Sequence, residues 1–344
     1  MFEILKCMKI KRDNIINITD LDVGYIFSKK KNKTIHADIN LSSFKGELTA
    51  LIGKNGIGKS TLLRTICNLQ KSLNGNIEIF NKEISQYSQN DLAKRISFVS
   101  TEAINVGYMK VFDFVALGRF PYTNWIGKLT NKDVELVREA LALVKMDAFA
   151  QKYLNEISDG ERQRVMIART LAQDTDIIIL DEPTAFLDMP NKYEIVHLLN
   201  HLTKTKNKTI IFSSHDIDIA MSQCDKMWLM FDNSIIEGAP EDLILNNIFS
   251  EIFENTNLNF NINTGEFKTI NHTNNHIGLI GEGIYFFWTK KALERMGFIV
   301  NRNKSVSNKI VIKTDNQNTK WMLEGKEIVF NSIYELSQNL YFSL

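Results

Sequence analysis

The sequence predicts an α/β protein with a layered core, followed by a small α+β domain. Strand-like and helix-like segments alternate through residues 15–250, which is typical of a sheet covered by helices. An apolar strand at residues 48–52 runs into a glycine-rich turn that opens a helix. An asparagine-rich stretch at residues 255–275 then separates this core from the rest of the chain. We therefore expect two domains, at residues 1–255 and 256–344.

Length and composition agree with this division. A chain of 344 residues is long enough for two domains, and 44% hydrophobic with 24% charged residues is ordinary for a globular protein. The net charge of +1 provides no field to hold a nucleic acid, so no nucleic-acid partner is expected. The amino-terminal residues lack the apolar core of a signal peptide, and no window approaches the roughly 18 apolar residues of a membrane span. We therefore expect any work at a membrane to depend on a partner.

The elements of the core are predicted from short apolar runs. The predicted strands are residues 15–21, 34–41, 48–52, 77–80, 96–99, 177–180, 209–213 and 227–230. Residues 133–144 have apolar side chains at helical spacing. The run at 177–180 is apolar throughout and ends in two acids, as expected of a strand buried on both faces of a parallel sheet.

The second domain is predicted from weaker patterns. Its predicted strands are residues 276–280, 298–300, 309–313, 321–323 and 328–330, with helices near 285–296 and after Ser332. Ser332 with Glu335 fits a capping box, and Gly297 lies where a helix end needs a residue that tolerates positive φ. Residues 255–275, which are asparagine-rich and weakly patterned, are interpreted as the joint between the domains.

Residues 53–61 read Gly-Lys-Asn-Gly-Ile-Gly-Lys-Ser-Thr between a strand and a helix, which is the context that a phosphate-binding P-loop requires. Glycines let the backbone turn its N–H groups toward phosphates at the helix start. Lys59 is expected to reach the β- and γ-phosphates, and Ser60 to supply a hydroxyl to Mg²⁺. The predicted nucleotide-binding residues of this loop are Gly53, Asn55, Gly56, Gly58, Lys59, Ser60 and Thr61. A nucleotide with Mg²⁺ is therefore the expected ligand, and the alternative of a plain glycine turn with a surface lysine is disfavoured. The loop alone does not distinguish a kinase, a GTPase or a motor protein.

Asp181 and Glu182 follow the apolar strand 177–180. The strand and its acids resemble the Walker B motif, which implies that Asp181 positions Mg²⁺, so Asp181 and Ser60 are the predicted metal residues. The same resemblance implies that Glu182 orients and deprotonates the attacking water.

Residues 156–164 read Glu-Ile-Ser-Asp-Gly-Glu-Arg-Gln-Arg. This segment resembles the signature of ATP-binding-cassette (ABC) ATPases, Leu-Ser-Gly-Gly-Gln followed by Arg-Gln-Arg. Ser158 and Glu161 also form a capping-box pair, so the segment is expected to start a helix and present Ser158 and backbone N–H groups to an anion. Plain capping is the alternative, but the next motif follows close downstream.

Three further positions take their roles from the same resemblance. Residues 184–188 resemble the loop whose aspartate organises the dimer interface, which implies this role for Asp188. Residues 213–216 resemble the switch whose histidine contacts the γ-phosphate, so the implied catalytic set is Lys59, Glu182 and His215. Tyr25 lies where the family stacks an aromatic ring on adenine.

The chain is thus identified as a member of the ABC ATPases over about residues 15–250. In that family two cassettes face each other head to tail, and each ATP lies between one P-loop and the other subunit's signature. One copy of each motif therefore implies a homodimer, or a pair with a similar subunit, in which Ser158, Gly160 and Glu161 contact the partner's nucleotide.

Two segments depart from the family pattern. The family has a glutamine after the strand at 96–99, which touches Mg²⁺ and relays the nucleotide state to the membrane subunit. Here Thr101 holds that place and Glu102 is the favoured substitute. The signature carries Asp159 and Glu161, two carboxylates that should repel a polyphosphate unless they point away or cap the helix.

Residues 111–122 resemble a stretch of the ATPases that drive uptake of iron chelates and vitamin B12. The resemblance implies integral-membrane permease subunits as partners, an extracytoplasmic substrate-binding protein as an indirect partner, and a peripheral position on the cytoplasmic face of the membrane. A separately encoded exporter ATPase remains an alternative. A soluble ABC protein acting on ribosomes or DNA is disfavoured, since such proteins carry two cassettes or a long coiled coil. The residues do not reveal the cargo or the role of the second domain.

Overall fold

The computed structural model describes residues 13–28, 31–100, 108–124, 127–252, 258–262, 265–269, 275–302, 308–315, 318–325 and 328–341. The chain divides into two compact units, Met1–Ile252 and Phe253–Leu344. Of the residues that the structure describes, no helix combines the length and the apolar composition needed to span a membrane.

The first unit alternates strands and helices. In chain order these are β1 (Asn14–Ser28), β2 (Lys31–Phe44), β3 (Leu48–Gly53), α1 (Lys59–Ile66), β4 (Asn74–Ile79), β5 (Lys82–Glu83), α2 (Gln89–Ala93), β6 (Ile96–Val99), α3 (Val111–Ala116), α4 (Asn131–Leu143), α5 (Asp159–Gln173), β7 (Ile177–Leu180), α6 (Met189–Lys206), β8 (Thr209–Ser214), α7 (Ile217–Gln223), β9 (Lys226–Met230), β10 (Ile235–Gly238), α8 (Pro240–Leu245) and α9 (Ile248–Ile252).

These strands form two sheets. One is antiparallel with the order β2-β1-β4-β5, and the other has the order β10-β9-β3-β8-β7-β6. In the second sheet β9, β3, β8, β7 and β6 run parallel, and β10 pairs antiparallel with β9. Because carboxyl ends of parallel strands meet at one edge, the segments after β3, β7 and β8 come together there.

The central strands are rich in apolar residues because both of their faces are covered. Every residue of β7 and β9 is buried, and Trp228 is fully buried in a core shared by both sheets. Burial on both faces removes the alternation that a half-exposed strand shows.

A helical part of the first unit contains α3, α4 and α5, which pack on one another. Arg119 and Asp133 form a buried ion pair of 2.8 Å between the segment after α3 and the first turn of α4. Arg119 also donates to the carbonyl oxygen of Ala172 on α5 at 2.8 Å. One guanidinium therefore joins three segments of this part.

Two boundaries in the first unit differ from the prediction. β1 continues to Ser28 and β2 begins at Lys31, so the hairpin is longer than the apolar runs indicated. Polar residues extend both strands because each pairs with the other along the hairpin. Phe80 was predicted within a strand, but it lies just after β4 with φ of +52°.

The second unit contains β11 (Leu258–Asn261), β12 (Glu266–Thr269), β13 (His276–Ile280), α10 (Gly283–Arg295), β14 (Ile299–Asn301), β15 (Lys309–Asp315), β16 (Asn318–Leu323), β17 (Val329–Phe330) and α11 (Ile333–Tyr341). The main sheet has the order β14-β13-β15-β16-β17. Trp321 on β16 donates through Nε1 to Thr289 Oγ1 on α10 at 2.7 Å, which fixes the helix on the sheet.

The segment interpreted as the joint between the domains contains the antiparallel pair β11–β12, for which the sequence predicted no strands. Phe260 and Phe267 are paired across the hairpin with ring centroids 5.0 Å apart. The asparagine-rich composition concealed this pair, because two aromatic residues on facing strands leave no period in the sequence.

Near the carboxyl end the predicted capping box is only half formed. Ser332 Oγ accepts from the Glu335 N–H at 3.1 Å, but the Glu335 carboxylate accepts from the Asn331 N–H instead of that of Ser332. Gly297 has a φ of +92°, as predicted for the residue that ends α10.

Candidate functional site

The glycine-rich loop at residues 53–61 links the carboxyl end of β3 to α1. Gly56 and Gly58 have φ values of +76° and +120°, a region that favours glycine. Gly58 is the N-cap of α1, and no side chain caps the helix start. The first N–H groups of α1 are therefore available to an anion at this position.

A cavity of about 570 Å³ lies over the loop. Of the described residues, its lining comprises Tyr25, Lys33, Thr34, Ile35, His36, Gly56, Ile57, Gly58, Lys59, Ser60, Thr61, Glu182 and Asp232. Most of the predicted loop residues are thus brought together, whereas Gly53 and Asn55 belong to the loop without lining the cavity.

Gly53 has a structural reason to be glycine. It ends β3 next to β9, and a Cβ there would lie 2.9 Å from the carbonyl oxygen of Met230. The loop can therefore leave the sheet at this point only with the smallest residue.

Lys59 lies in the floor of the site and is 5% exposed. Its Nζ donates to the carbonyl oxygens of Gly53 and Lys54 at 3.0 and 3.2 Å. The same nitrogen lies 3.8 Å from Glu182 Oε1. Burial lowers the pKa of Lys59, and the nearby carboxylates of Glu182 and Asp181 oppose that shift.

Glu182 and His215 face each other at the ends of β7 and β8. His215 Nε2 lies 2.6 Å from Glu182 Oε1, and His215 Nδ1 lies 3.3 Å from Lys59 Nζ. Lys59 Nζ also lies 3.4 Å from His215 Nε2, so the imidazole contacts both the carboxylate and the ammonium. The three predicted catalytic residues, Lys59, Glu182 and His215, therefore form one contact network.

Glu182 has an unusual backbone, with φ of +50°. Such a conformation costs energy for a residue with a Cβ and is often found at functional sites. It is held by a hydrogen bond of 2.8 Å from the Glu182 N–H to Ser213 Oγ. The Ser213 hydroxyl in turn donates to Asp181 Oδ1 at 2.8 Å.

Ser213 was not assigned a role from the sequence. It links the two adjacent acids because β7 and β8 are neighbours in the sheet. Its position at the end of a buried strand beside His215 was the signal that could have indicated it.

Tyr25 lies on β1 at the rim of the cavity and is 45% exposed. Its hydroxyl is 3.3 Å from Thr61 Oγ1, and its ring centroid is 6.3 Å from that of Phe27. An aromatic ring half exposed beside the loop can stack on a flat apolar ligand.

The predicted signature residues lie at the start of α5. Ser158 Oγ accepts from the Glu161 N–H at 3.3 Å, and Glu161 Oε2 accepts from the Ser158 N–H at 2.8 Å, which completes a capping box. The Ser158 backbone N–H and then its hydroxyl lower the pKa of the Glu161 carboxyl. Asp159 accepts from Arg162 at 3.2 Å. Both added carboxylates are thus engaged within their own helix.

Gly160 and Asp188 lie on neighbouring elements. A Cβ on Gly160 would lie 3.7 Å from Leu187 Cδ2, an ordinary contact. Asp188 is the N-cap of α6 and accepts from the Asn191 N–H at 3.2 Å. Thr101 and Glu102, the candidates for the missing glutamine, lie outside the described residues, so that hypothesis stays a prediction.

Comparisons with known proteins agree with this geometry. A family model described as ABC transporter matches residues 36–185, and one described as Iron ABC transporter C-terminal domain matches residues 274–341. The iron(3+)-hydroxamate import ATP-binding protein of Bacillus subtilis is 33% identical over 242 residues, which are 70% of this chain and 88% of that protein.

A dimeric ATP-binding cassette in a post-hydrolysis state, bound to ADP and Pi, has a similar structure. The TM-score is 0.58 at 26% identity, and the match covers 66% of this chain and 99% of that chain. An uncharacterized ABC transporter ATP-binding protein of Methanocaldococcus jannaschii is 39% identical over 259 residues, which are 75% of this chain and 88% of that protein. These matches confirm the resemblance inferred from the motifs: the chain belongs to the ABC transporter ATP-binding proteins and is an ATPase of that family.

Proposed function

We propose that two copies of this chain hydrolyse MgATP to energise the import of an iron chelate through membrane permease subunits. The observation that carries this proposal is the combination, in one chain, of a nucleotide site with a domain that matches the iron ABC transporter C-terminal family. The similarity to an iron(3+)-hydroxamate import protein supports the same cargo class. The domains are proposed to span residues 1–255 and 256–344.

In this proposal ATP binds along the loop at residues 53–61. Tyr25 stacks on adenine, and the backbone N–H groups at the start of α1 hold the phosphates. Lys59 exchanges its contacts with the Gly53 and Lys54 carbonyl oxygens for phosphate oxygens, which accept a charge-assisted hydrogen bond.

The residues next to the loop fit Mg²⁺. The Ser60 hydroxyl and the Asp181 carboxylate are the hard oxygen ligands that this ion prefers. When bound by these residues, Mg²⁺ would neutralise negative charge on the nucleotide phosphates. Ser213 keeps Asp181 oriented through its hydrogen bond to Oδ1.

Glu182 is the proposed general base. Its carboxylate takes the proton of the attacking water, and His215, whose Nε2 lies 2.6 Å from that carboxylate, orients it and contacts the γ-phosphate. The positive φ of Glu182 holds the carboxylate at the mouth of the loop. Ser158 and Gly160 of a second copy complete the site from the opposite side, with Glu161 and Asp188 at the same interface.

The permease subunits are proposed to contact the helical part formed by α3, α4 and α5. This contact would hold the chain at the cytoplasmic face of the membrane. A substrate-binding protein would deliver the chelate to the permease from the other side.

The base assignment is tested with Glu182→Gln in the full chain. Turnover should fall by about 10²-fold or more, because a general base is lost, while MgATP still binds. ATP hydrolysis and fluorescent ATP binding measure the two effects separately. Hydrolysis near the wild-type rate would refute the assignment.

Lys59→Ala should instead weaken ATP binding itself, because the side chain that pairs with the phosphates is removed. Unchanged ATP affinity in this variant would exclude Lys59 from phosphate binding.

The cargo is tested by uptake of radiolabelled ferric chelates into cells of the source organism that lack this gene. Wild-type chain and Glu241→Gln, which changes an exposed acid on α8, should restore uptake, whereas Glu182→Gln should not. Unimpaired ferric-chelate uptake in the cells without the gene would refute the iron assignment and leave the ATPase intact.

A further inference from the structure

His36 makes a contact with the glycine-rich loop that the proposed mechanism does not use. It lies on β2 and is 4% exposed. Its Nε2 is 3.0 Å from the carbonyl oxygen of Ile57. A carbonyl can only accept, so Nε2 carries the proton and donates. β2 belongs to the antiparallel sheet, whereas the loop follows β3 of the parallel sheet, so this bond joins the loop to the other sheet.

The acceptor, the Ile57 carbonyl oxygen, belongs to a peptide of the loop that can rotate easily. Ile57 lies between Gly56 and Gly58, both of which have positive φ. A glycine resists rotation of the adjoining peptide less than any other residue, because it has no Cβ. The orientation of the Ile57–Gly58 peptide therefore depends on what its polar groups contact.

The geometry of the peptide bond connects His36 to the phosphate side. In a planar trans peptide the C=O and N–H groups point in opposite directions. Because the Ile57 carbonyl is directed at His36, the Gly58 N–H points away from His36. A rotated peptide would turn the Ile57 carbonyl in that direction instead, where it would repel phosphate oxygens.

The loop backbone at Gly58 has little space on the side that faces β2. A Cβ on Gly58 would lie 2.8 Å from Ile35 Cγ2 and 3.5 Å from His36 Cδ2. The backbone of the loop thus lies directly against β2. The Ile57 N–H is also 3.4 Å from the Lys54 carbonyl oxygen, which closes the turn from the other end.

We propose that His36 is a positioning residue for nucleotide binding, which holds the Ile57–Gly58 peptide so that the Gly58 N–H faces the phosphates. The inference rests on the proposed binding of ATP phosphates along residues 53–61. The bond survives protonation of the ring, because both the neutral tautomer with its proton on Nε2 and the imidazolium donate from that atom.

The test compares two substitutions of similar length in the full chain. In His36→Gln the amide nitrogen lies as many bonds from Cα as Nε2 does, so the donor is kept, whereas His36→Met has the same reach and no donor. MgATP affinity is measured by fluorescence titration, and KM and kcat by ATP hydrolysis. The Met variant should bind MgATP about five- to tenfold more weakly, while the Gln variant stays within about twofold of wild type. The Met variant should raise KM and leave kcat nearly unchanged.

Two measurements separate positioning from a general loss of structure. Thermal unfolding of each variant reports folding, and binding of adenosine, which has no phosphate, should be the same in the Gln and Met variants. If His36→Met does not fold, His36→Asn replaces it, because its amide is one bond too short to reach the Ile57 carbonyl.

Wild-type MgATP affinity in a folded Met or Asn variant would overturn the inference. Equal losses of affinity in the Gln and Met variants would also overturn it. A different result would refute the proposed function rather than the role of His36. In that case the wild-type chain would not bind MgATP, or Lys59→Ala would bind it as tightly as the wild type.

Discussion

Helices α1 and α5 both begin at segments expected to contact nucleotide. They differ in whether a side chain caps the first N–H groups. α1 starts after Gly58 with no side-chain cap and no acid in its first turn. α5 starts after Ser158 with a complete capping box and with Asp159 and Glu161 in its first turn. The start of α1 has no side-chain cap, whereas the N–H groups of Ser158 and Glu161 at the start of α5 already have side-chain acceptors.

The difference explains why two carboxylates are tolerated in the second segment. The Glu161 carboxylate is held by the Ser158 N–H and hydroxyl, and that engagement is what lowers its pKa. The capping box of α5 uses the N–H groups of Ser158 and Glu161, so an external anion at this helix start would bind the other N–H groups of the first turn.

The start of α4 differs from both, because its capping carboxylate is buried. Asp133 in the first turn of α4 accepts from the Thr130 hydroxyl and N–H, and it pairs with Arg119 at 2.8 Å. Arg119→Met should lower the free energy of unfolding by about 3 kcal/mol, since it leaves a buried carboxylate without its cation. The matched control Arg95→Met breaks an exposed pair with Asp176 and should cost less than about 1 kcal/mol. Urea denaturation measures the free energy of unfolding of both variants. Equal decreases would contradict the claim that the buried pair contributes more to stability than the exposed one.

The lowered pKa of Asp133 predicts that the free energy of unfolding depends on pH in the acid range. Hydrogen bonds from Thr130, with a further contribution from Arg119, lower the pKa of this carboxyl to about 2. Because the folded pKa lies below the unfolded one, the carboxylate stabilises the fold above the ordinary carboxyl pKa, and that contribution is lost as pH falls from about 4 toward 2. Urea denaturation at several pH values should show this loss in wild type and a shallower one in Thr130→Val. If the free energy of unfolding of Thr130→Val fell with pH as steeply as that of the wild type, this prediction would be refuted.

The glycines at the two nucleotide-contact segments should respond differently to alanine. Gly58→Ala places a Cβ 2.8 Å from Ile35 Cγ2 at a φ of +120°, so MgATP affinity should fall by about tenfold or more. Gly160→Ala meets only ordinary contacts, so the single chain should fold and bind MgATP as wild type does. Titration with a fluorescent ATP analogue measures both affinities. Equal losses would show that the two segments are not distinguished by backbone geometry.

The smallest expected effect concerns the charge on α5. Glu161→Gln keeps a capping box but removes one negative charge near the partner's phosphates, so ATP hydrolysis should rise by about two- to fivefold. The control Glu156→Gln changes a carboxylate that caps the turn at Leu154–Glu156. The gain should shrink as salt is added, because exposed charges are screened. An equal gain in the control would assign the effect to something other than this helix start.

The sequence by itself determined the parts of the site that are encoded within short segments. The loop at residues 53–61, the acids after the strand at 177–180 and the histidine after the strand at 209–213 are each read from a continuous run of residues. The resemblance to ABC ATPases grouped Lys59, Glu182 and His215 before their contacts were known, and the structure brings the three together. The family followed from these motifs together with the signature at residues 156–164, while the roles of Thr101 and Glu102 stay predictions.

Only the tertiary structure decided which polar groups already have partners. Ser213 joins Asp181 to Glu182 because β7 and β8 are neighbours, and His36 reaches Ile57 because a strand of one sheet lies against a loop of the other. Such contacts join segments far apart in the chain, and nothing in the periodicity of either segment records them. Hydrogen bonds depend on distance and direction, and both are fixed only when the sheets are packed.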